Sequence, residues 1–327
     1  MSEPAAQPAP VRSEWLRLAA DYLGMAIGLA ALILAFSLST EHFFSATTFR
    51  TIANQIPSAV LIATGMTYVL IIAQIDLSVG SVLGLCSAVL GVALTQWHWP
   101  LWLAVAGTLA AGGLCGLVNG FVSVRWRLPS FIVTLAMLEM ARGGAHAVTK
   151  SQTQYIGSAI EGIAGVSVLG LSLPFLLAML VVVAAQVVLS RTVFGRYLFA
   201  IGANEEAVRF SGINARPVKL AVFILTGLLV ALAAVIDTSR FQSANPNAGS
   251  GYELSAIAAV VIGGTSLMGG RGSVVRSLFG VLIIAVLNSG LASVGAKDEL
   301  KRLITGLVII AAVVVDHYRH RLARGKT

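Results

Sequence analysis

Few residues of this chain could do chemistry, and most of them stand among apolar neighbours. Asp76 lies in the stretch "LIIAQIDLSVGSVLGL". A carboxylate at membrane depth is costly unless paired or hydrated, so Asp76 is a candidate ion or proton carrier. With Ser78 it also precedes a Gly-rich run as a helix cap would, and the sequence leaves both readings open. Glu139 and Arg142 stand three apart, close enough to neutralise each other on one helix face. Asp237 and Arg240 close an apolar run and read as a solvated helix end. The amides Asn54, Gln55, Gln74, Asn119 and Asn288 lie in or at the ends of apolar runs. Such groups suit a neutral, hydroxyl-rich solute better than an ion, although an Asn between helices also serves simply to hold them together. With Asp76 and Ser78 they are the candidate lining of a translocation pathway.

Other chemistries find no residues to carry them. "GGRGS" at 269–273 invites a phosphate-cradle reading, but the chain nowhere contains G-x-x-x-x-G-K-[ST], so a turn is expected there. No nucleophile stands with a plausible base in a polar segment, which leaves a membrane-embedded enzyme as the weakest class. Cys86 and Cys115 both sit in apolar runs without metal spacing and read as small packing residues. The five histidines are scattered. No metal and no catalytic residue is therefore expected. Gly112, Gly116 and Gly120, like Gly80 and Gly84, recur every fourth residue and predict flat helix faces for close packing.

One polar stretch stands apart from these, "AIGANEEAVRFSGI" at 200–213. Asn204 is a preferred N-cap. Glu205 and Glu206 follow where the helix dipole favours negative charge. Glu205 and Arg209 stand four apart in the favourable order for a pair. Gly212 sits where a helix ends on a left-handed residue, and Pro217 bars backward extension of the next span. The pattern predicts a short independent helix of about two turns, marginal alone and in need of a partner surface. Ala207, Val208 and Phe210 would supply the contact. Two glutamates argue against rest on an anionic leaflet, so docking to a protein is the preferred reading.

The elements that hold these residues are set by composition. Hydrophobic residues make up 57% of the chain and charged residues 11%, with mean hydropathy +0.87. A soluble domain carries about a quarter charged residues, and apolar runs near the ~20-residue crossing length recur throughout. The expected fold is an all-α polytopic membrane protein with about ten transmembrane helices. They are expected near 23–40, 53–74, 78–95, 101–124, 130–149, 172–190, 218–238, 254–268, 274–295 and 303–316, the eighth being short, Gly-flanked and broken or half-buried. Residues 1–22 lack the apolar core of a signal peptide and read as a cytoplasmic tail; 23–316 form the membrane domain and 317–327 a basic cytoplasmic tail. With the N-terminus inside, fifteen Lys and Arg fall in inside segments, six in outside segments, and Arg142 in a span. That asymmetry places both termini, and the loop 191–219, in the cytoplasm. It also accounts for the net charge of +8 without a nucleic-acid partner, because the basic residues are dispersed over separate segments along the chain.

Glu206-Ala207, with Gly212 six residues after the glutamate, resembles the E-A-A-x-x-x-G loop of permease subunits of ABC importers. The run "FGRYLFAIGANEEAVRFSGI" is similar to the ribose-type monosaccharide branch, as are "IDLSVGS" (75–81), "LPSFIVTLAML" with "ARG" (128–143) and "GYELSAIAAVVIGGTSLMGGRGS" (251–273). The likeness runs from about residue 23 to 316. Gln74, where the family commonly has Gly, and Arg276, where a small residue is usual, depart from it. The outer loop 295–302 is also more charged than is usual there. The resemblance implies a multi-pass protein of the bacterial inner membrane, with Asn204, Glu205, Glu206, Ala207, Arg209 and Gly212 in a coupling helix that docks on a separate ATP-binding subunit. ATP and Mg would be used by that subunit, and no cofactor would be bound here. A second permease copy, identical or related, would enclose the pathway, and a periplasmic sugar-binding protein would deliver a monosaccharide, ribose by closest pattern or another pentose, hexose or polyol. The alternative is a secondary transporter of a small neutral solute, coupled to ions through Asp76.

Overall fold

The computed structural model describes residues 11–314, apart from positions 42, 169, 298, 302, 309, 312 and 313. The helices are α1 (Val11–Ser39), α2 (Ala46–Gln55), α3 (Pro57–Ile71), α4 (Val79–Thr95), α5 (Leu101–Trp126), α6 (Ser130–Thr149), α7 (Glu161–Ala164), α8 (Leu173–Arg191), α9 (Val193–Phe210), α10 (Ala215–Phe241), α11 (Tyr252–Ile262) and α12 (Val274–Ser293). Helical residues resume at 299–301 and 303–308. Sheet among the described residues is confined to two-residue pairs. β1 (Gln154–Tyr155) pairs antiparallel with β4 (Ser243–Ala244), and β2 (Ser167–Val168) with β3 (Leu171–Ser172).

Among the described residues six helices are long and apolar enough to cross a membrane, and a seventh span arises if α2 and α3, bent by 48° at Ile56, count as one. The expected span 53–74 is thus two helices, because Pro57 at the first turn of α3 cannot continue the hydrogen-bond ladder of α2. α4 and α11 are apolar but shorter. The expected eighth span, 254–268, is helical only from Tyr252 to Ile262 and gives way to irregular backbone at 263–273. The first residues, expected as a tail to 22, are already helical from Val11. The basic tail 317–327 and part of the tenth span lie outside the described residues.

The core is built around α3. It is apolar on every side and all but one of its residues are buried, the signature of a helix enclosed by others rather than facing lipid. α10 packs on α3 and on α5. The glycine ladder of α5 makes that second contact close: a Cβ at Gly116 would lie 2.2 Å from the Phe223 carbonyl oxygen. Only a residue without a side chain permits such backbone approach. The ladder of α4 serves a different neighbour. Gly84 and Gly80 face the non-helical chain at 246–249 rather than another helix.

Gly116→Val should therefore overpack the α5–α10 contact at a cost of about 1–3 kcal/mol. It is expected to lower the unfolding midpoint of the purified protein in detergent. Gly143→Ala, where nothing lies within 4 Å of the added carbon, should leave the midpoint unchanged.

Candidate functional site

The polar stretch at 200–213 is an exposed helical arm with a built joint. α9 is kinked at Asn204, whose φ of −163° and ψ of 96° are extended rather than helical. The Asn204 side-chain oxygen accepts a hydrogen bond from the Ala207 amide at 2.9 Å, the third amide after the cap. Gly212, at φ +80°, ends the arm. The arm is not independent: residues 193–203 lead into it as the first part of the same bent helix. Val208 anchors it in the core, while Glu205, Glu206 and Ala207 are exposed and Phe210 is 79% exposed.

The charge pairing also differs from the spacing rule. Arg209 pairs with Glu206 at 3.4 Å, and Glu205 pairs with Lys219 from α10. The cause is where α10 starts. Its N-cap is Asn214, which accepts from the Arg216 amide at 3.1 Å. Pro217 therefore falls inside the first turn, where its missing N–H is one of the unpaired set, and does not bar the helix. The Glu206–Arg209 pair is exposed on both sides and contributes only about 0–1 kcal/mol. Stability of the arm rests on its cap, on Val208 and on the tie from Glu205 to the largely buried Lys219 side chain.

Behind the kink three segments meet. A Cβ at Gly202 would lie 1.7 Å from the Ile71 carbonyl oxygen, and that same oxygen accepts from the Gly270 amide at 2.9 Å. Gly270 has φ +72°. The first arm of α9, the end of α3 and the turn at 263–273 form one packed junction. "GGRGS" is a turn whose amide serves a carbonyl at the end of a helix.

From this junction the chain enters the break that holds Asp76. The backbone amides of Ile75 and Leu77 donate to Ser130 Oγ at 2.9 Å and Thr134 Oγ1 at 3.0 Å, both on α6. Asp76 is 3% exposed, and its Oδ1 accepts from the Ser78 amide at 2.9 Å and the Ser78 hydroxyl at 2.6 Å. Asn119 on α5 donates to Ser78 Oγ at 2.9 Å, while its own Oδ1 is buried without a partner among the described residues. Asp76, Ser78 and Asn119 are thus one hydrogen-bonded chain. Asp76 closes a local turn instead of capping α4, whose N-cap residue is Ser78.

Two other expectations change. Arg142 does not pair with Glu139. Its guanidinium donates to the carbonyl oxygens of Pro246 at 2.6 Å and Ala248 at 3.0 Å, bracing the irregular segment that runs beside α4. Asp237 is not a solvated end either, being only 6% exposed. Ser58 Oγ donates to it at 2.8 Å, the Tyr252 hydroxyl lies 3.5 Å away and Arg240 3.9 Å.

The remaining amides are dispersed. Asn54 accepts from the Ser172 amide at 3.2 Å. Gln74 lines a cleft of about 570 Å³ together with Glu205, Glu206, Arg209 and Lys219, below the Asp76 break. Gln55 and Asn288 come together at the opposite end, with Arg240 and Tyr252, around a smaller cavity. Sequence reasoning missed Arg142 as a backbone brace, and missed Gln186. The Gln186 side-chain oxygen accepts from the Val274 and Val275 amides at 2.9 and 3.3 Å and so caps α12 from α8. A lone Gln or Arg in an apolar run was the available signal, without any hint of its partner.

A family model described as branched-chain amino acid transport system / permease component matches residues 48–313. A ribose import permease protein of Haemophilus influenzae is 39% identical over 297 residues, covering 89% of this chain and 92% of that protein. A fructose import permease protein of Rhizobium meliloti is 35% identical, covering 86% of this chain and 81% of its own. A xylose transport system permease protein of Escherichia coli is 33% identical, with 89% and 90% covered.

Arg142→Met should leave the Pro246 and Ala248 carbonyls without their donor, at about 1–3 kcal/mol for each buried group. Limited proteolysis between 243 and 251 is expected to quicken, with Arg142→Lys intermediate. At the arm, Asn204→Ala should cost about 1 kcal/mol and speed hydrogen exchange at the Ala207 amide without altering exchange in α3.

Proposed function

This chain belongs to the branched-chain amino acid transport system / permease component family, and on that premise we propose that it is the membrane permease of an ABC importer that carries a monosaccharide into the cytoplasm. Relatives named for ribose, fructose and xylose import support a pentose or hexose as the solute, and of these three the ribose permease shares the most identity. The observation that carries the mechanism is the exposed arm at 204–210, capped by Asn204 and packed through Gly202 against the end of α3.

In this reading the arm docks on a separate ATP-binding subunit, which uses ATP and Mg; the chain itself has no P-loop sequence. Glu205, Glu206 and Arg209 set docking register more than affinity, as rim charges do. Motion of the arm passes to Ile71 and Gly270 through backbone contacts with no side chain to yield, then to the 72–78 break and its Asp76–Ser78–Asn119 chain. Packed elements of this kind shift between discrete arrangements rather than deform. A second permease copy, identical or related, completes the pathway, and a soluble binding protein delivers the sugar at the far end. Ten crossings follow if α4, α11 and the helical residues beyond 299 each span the membrane. That count puts both termini and the basic loop 191–219 in the cytoplasm.

The ion-coupled alternative draws no support from the site, because Asp76 Oδ1 is already committed to Ser78.

In proteoliposomes, uptake of radiolabelled ribose, xylose or fructose should require the cognate ATP-binding subunit, ATP and the binding protein. Uptake driven by a proton gradient alone would overturn the reading. Glu206→Lys should reduce co-purification of the ATP-binding subunit about tenfold, a loss of about 1.4 kcal/mol, while the permease keeps its unfolding midpoint.

A further inference from the structure

Arg240 and Tyr252 are absorbed by nothing in the coupling route, and neither are the amides Gln55 and Asn288. They surround a cavity of about 250 Å³ between α3, α11 and α12, at the end opposite the exposed arm. Its remaining wall is mostly apolar, from Ile and Ala side chains of the three helices.

The polar atoms around it are poorly served by the protein. The side chains of Gln55, Ser255 and Asn288 make no hydrogen bond among the described residues. Arg240 Nε is buried without a partner. Its outer nitrogens make only long polar contacts, 3.4 Å to the Gln55 carbonyl and 3.9 Å to Asp237, while the guanidinium lies over the Phe241 ring at 4.4 Å. The Tyr252 hydroxyl reaches Asp237 only at 3.5 Å. Unserved donors and acceptors on membrane helices are expensive against hydrocarbon, so this wall faces water, a solute or another protein.

We infer that this cavity is a binding site for one monosaccharide ring within the permease itself, a site the pathway uses after the solute leaves its carrier. The inference rests on the function proposed above and adds the place of contact. The volume lies just below the ~300–1,000 Å³ of pockets that enclose drug-sized ligands, the scale of a single ring. The amides of Gln55 and Asn288 each offer a donor and an acceptor, and Ser255 offers both in one hydroxyl, which matches vicinal hydroxyls. Arg240 adds forked donors, and its charge is offset by buried Asp237, so the site favours a neutral solute. Tyr252 adds an aromatic ring to the lining, against which the C–H groups of a sugar can pack.

The test uses the full transporter in proteoliposomes, with S255C labelled from outside by a membrane-impermeant maleimide. The native Cys86 and Cys115 are both buried, so the background is low. Ribose, xylose or fructose at millimolar concentration should slow labelling severalfold, whereas equiosmolar glycine betaine should not. Adding Asn288→Ala should weaken that protection about fivefold, the loss of one hydrogen bond of about 1 kcal/mol. Ala59→Phe, which fills the cavity from an exposed position on α3, should cut uptake about tenfold, a ΔΔG of about 1.4 kcal/mol, with binding-protein-stimulated ATP hydrolysis retained. The site is refuted if no sugar slows labelling or if Ala59→Phe imports at the parental rate. A parental chain that stimulates hydrolysis yet imports none of these sugars refutes the proposed function instead. Sugar protection of the S255C thiol still reads the cavity in that case.

Discussion

Backbone polar groups inside a membrane protein have no water to turn to, and that constraint governs where this chain departs from helix. At three such places among the described residues a side chain from a neighbouring helix supplies the missing partner. Ser130 and Thr134 of α6 hold the amides of the break at 72–78. Arg142, also of α6, holds the carbonyls of the segment before α11. Gln186 of α8 holds the first amides of α12 after the turn at 263–273. α6 thus braces irregular chain at two depths, which makes it a strut for the non-helical parts of the molecule.

The same constraint explains the glycines. Where irregular backbone must lie against a helix, the helix gives up its side chains. Gly80 and Gly84 do so beside 246–249, and Gly202 does so against Ile71. The result at Gly202 is a contact between backbones with no flexible side chain between them. A contact of this kind leaves little room to absorb a displacement, because interiors are close-packed. The exposed arm and the cavity lined by Gln55 and Asn288 lie at opposite ends of α3.

The polar residues divide into two groups. Asp76, Ser78 and Asn119 satisfy one another, with one buried acceptor left over, as a structural turn does. Gln55, Ser255, Asn288 and Arg240 do not, and their unsatisfied atoms converge on one cavity. Satisfaction, more than burial or charge, separates the groups that hold the fold from those free to meet a solute.

Class and element placement were legible in the sequence, because hydropathy runs and loop charge follow from the bilayer and act locally. Six of the expected spans, 78–95, 101–124, 130–149, 172–190, 218–238 and 274–295, overlie helices whose ends lie within three residues of those expected. The arm was equally legible: the Asn204 cap and the left-handed Gly212 depend only on residues within one or two turns. Partners were not. Glu205 chose Lys219 over Arg209, Arg142 chose two carbonyls over Glu139, and Asp237 proved buried instead of solvated. In each case the deciding neighbour lies on another element, 14 residues away for Glu205 and more than 100 for Arg142. Local rules of spacing fixed which residues were helical and which were capped. Only the packing of distant helices, which sets who desolvates whom, decided which charges pair, which brace the backbone and which are left around a cavity.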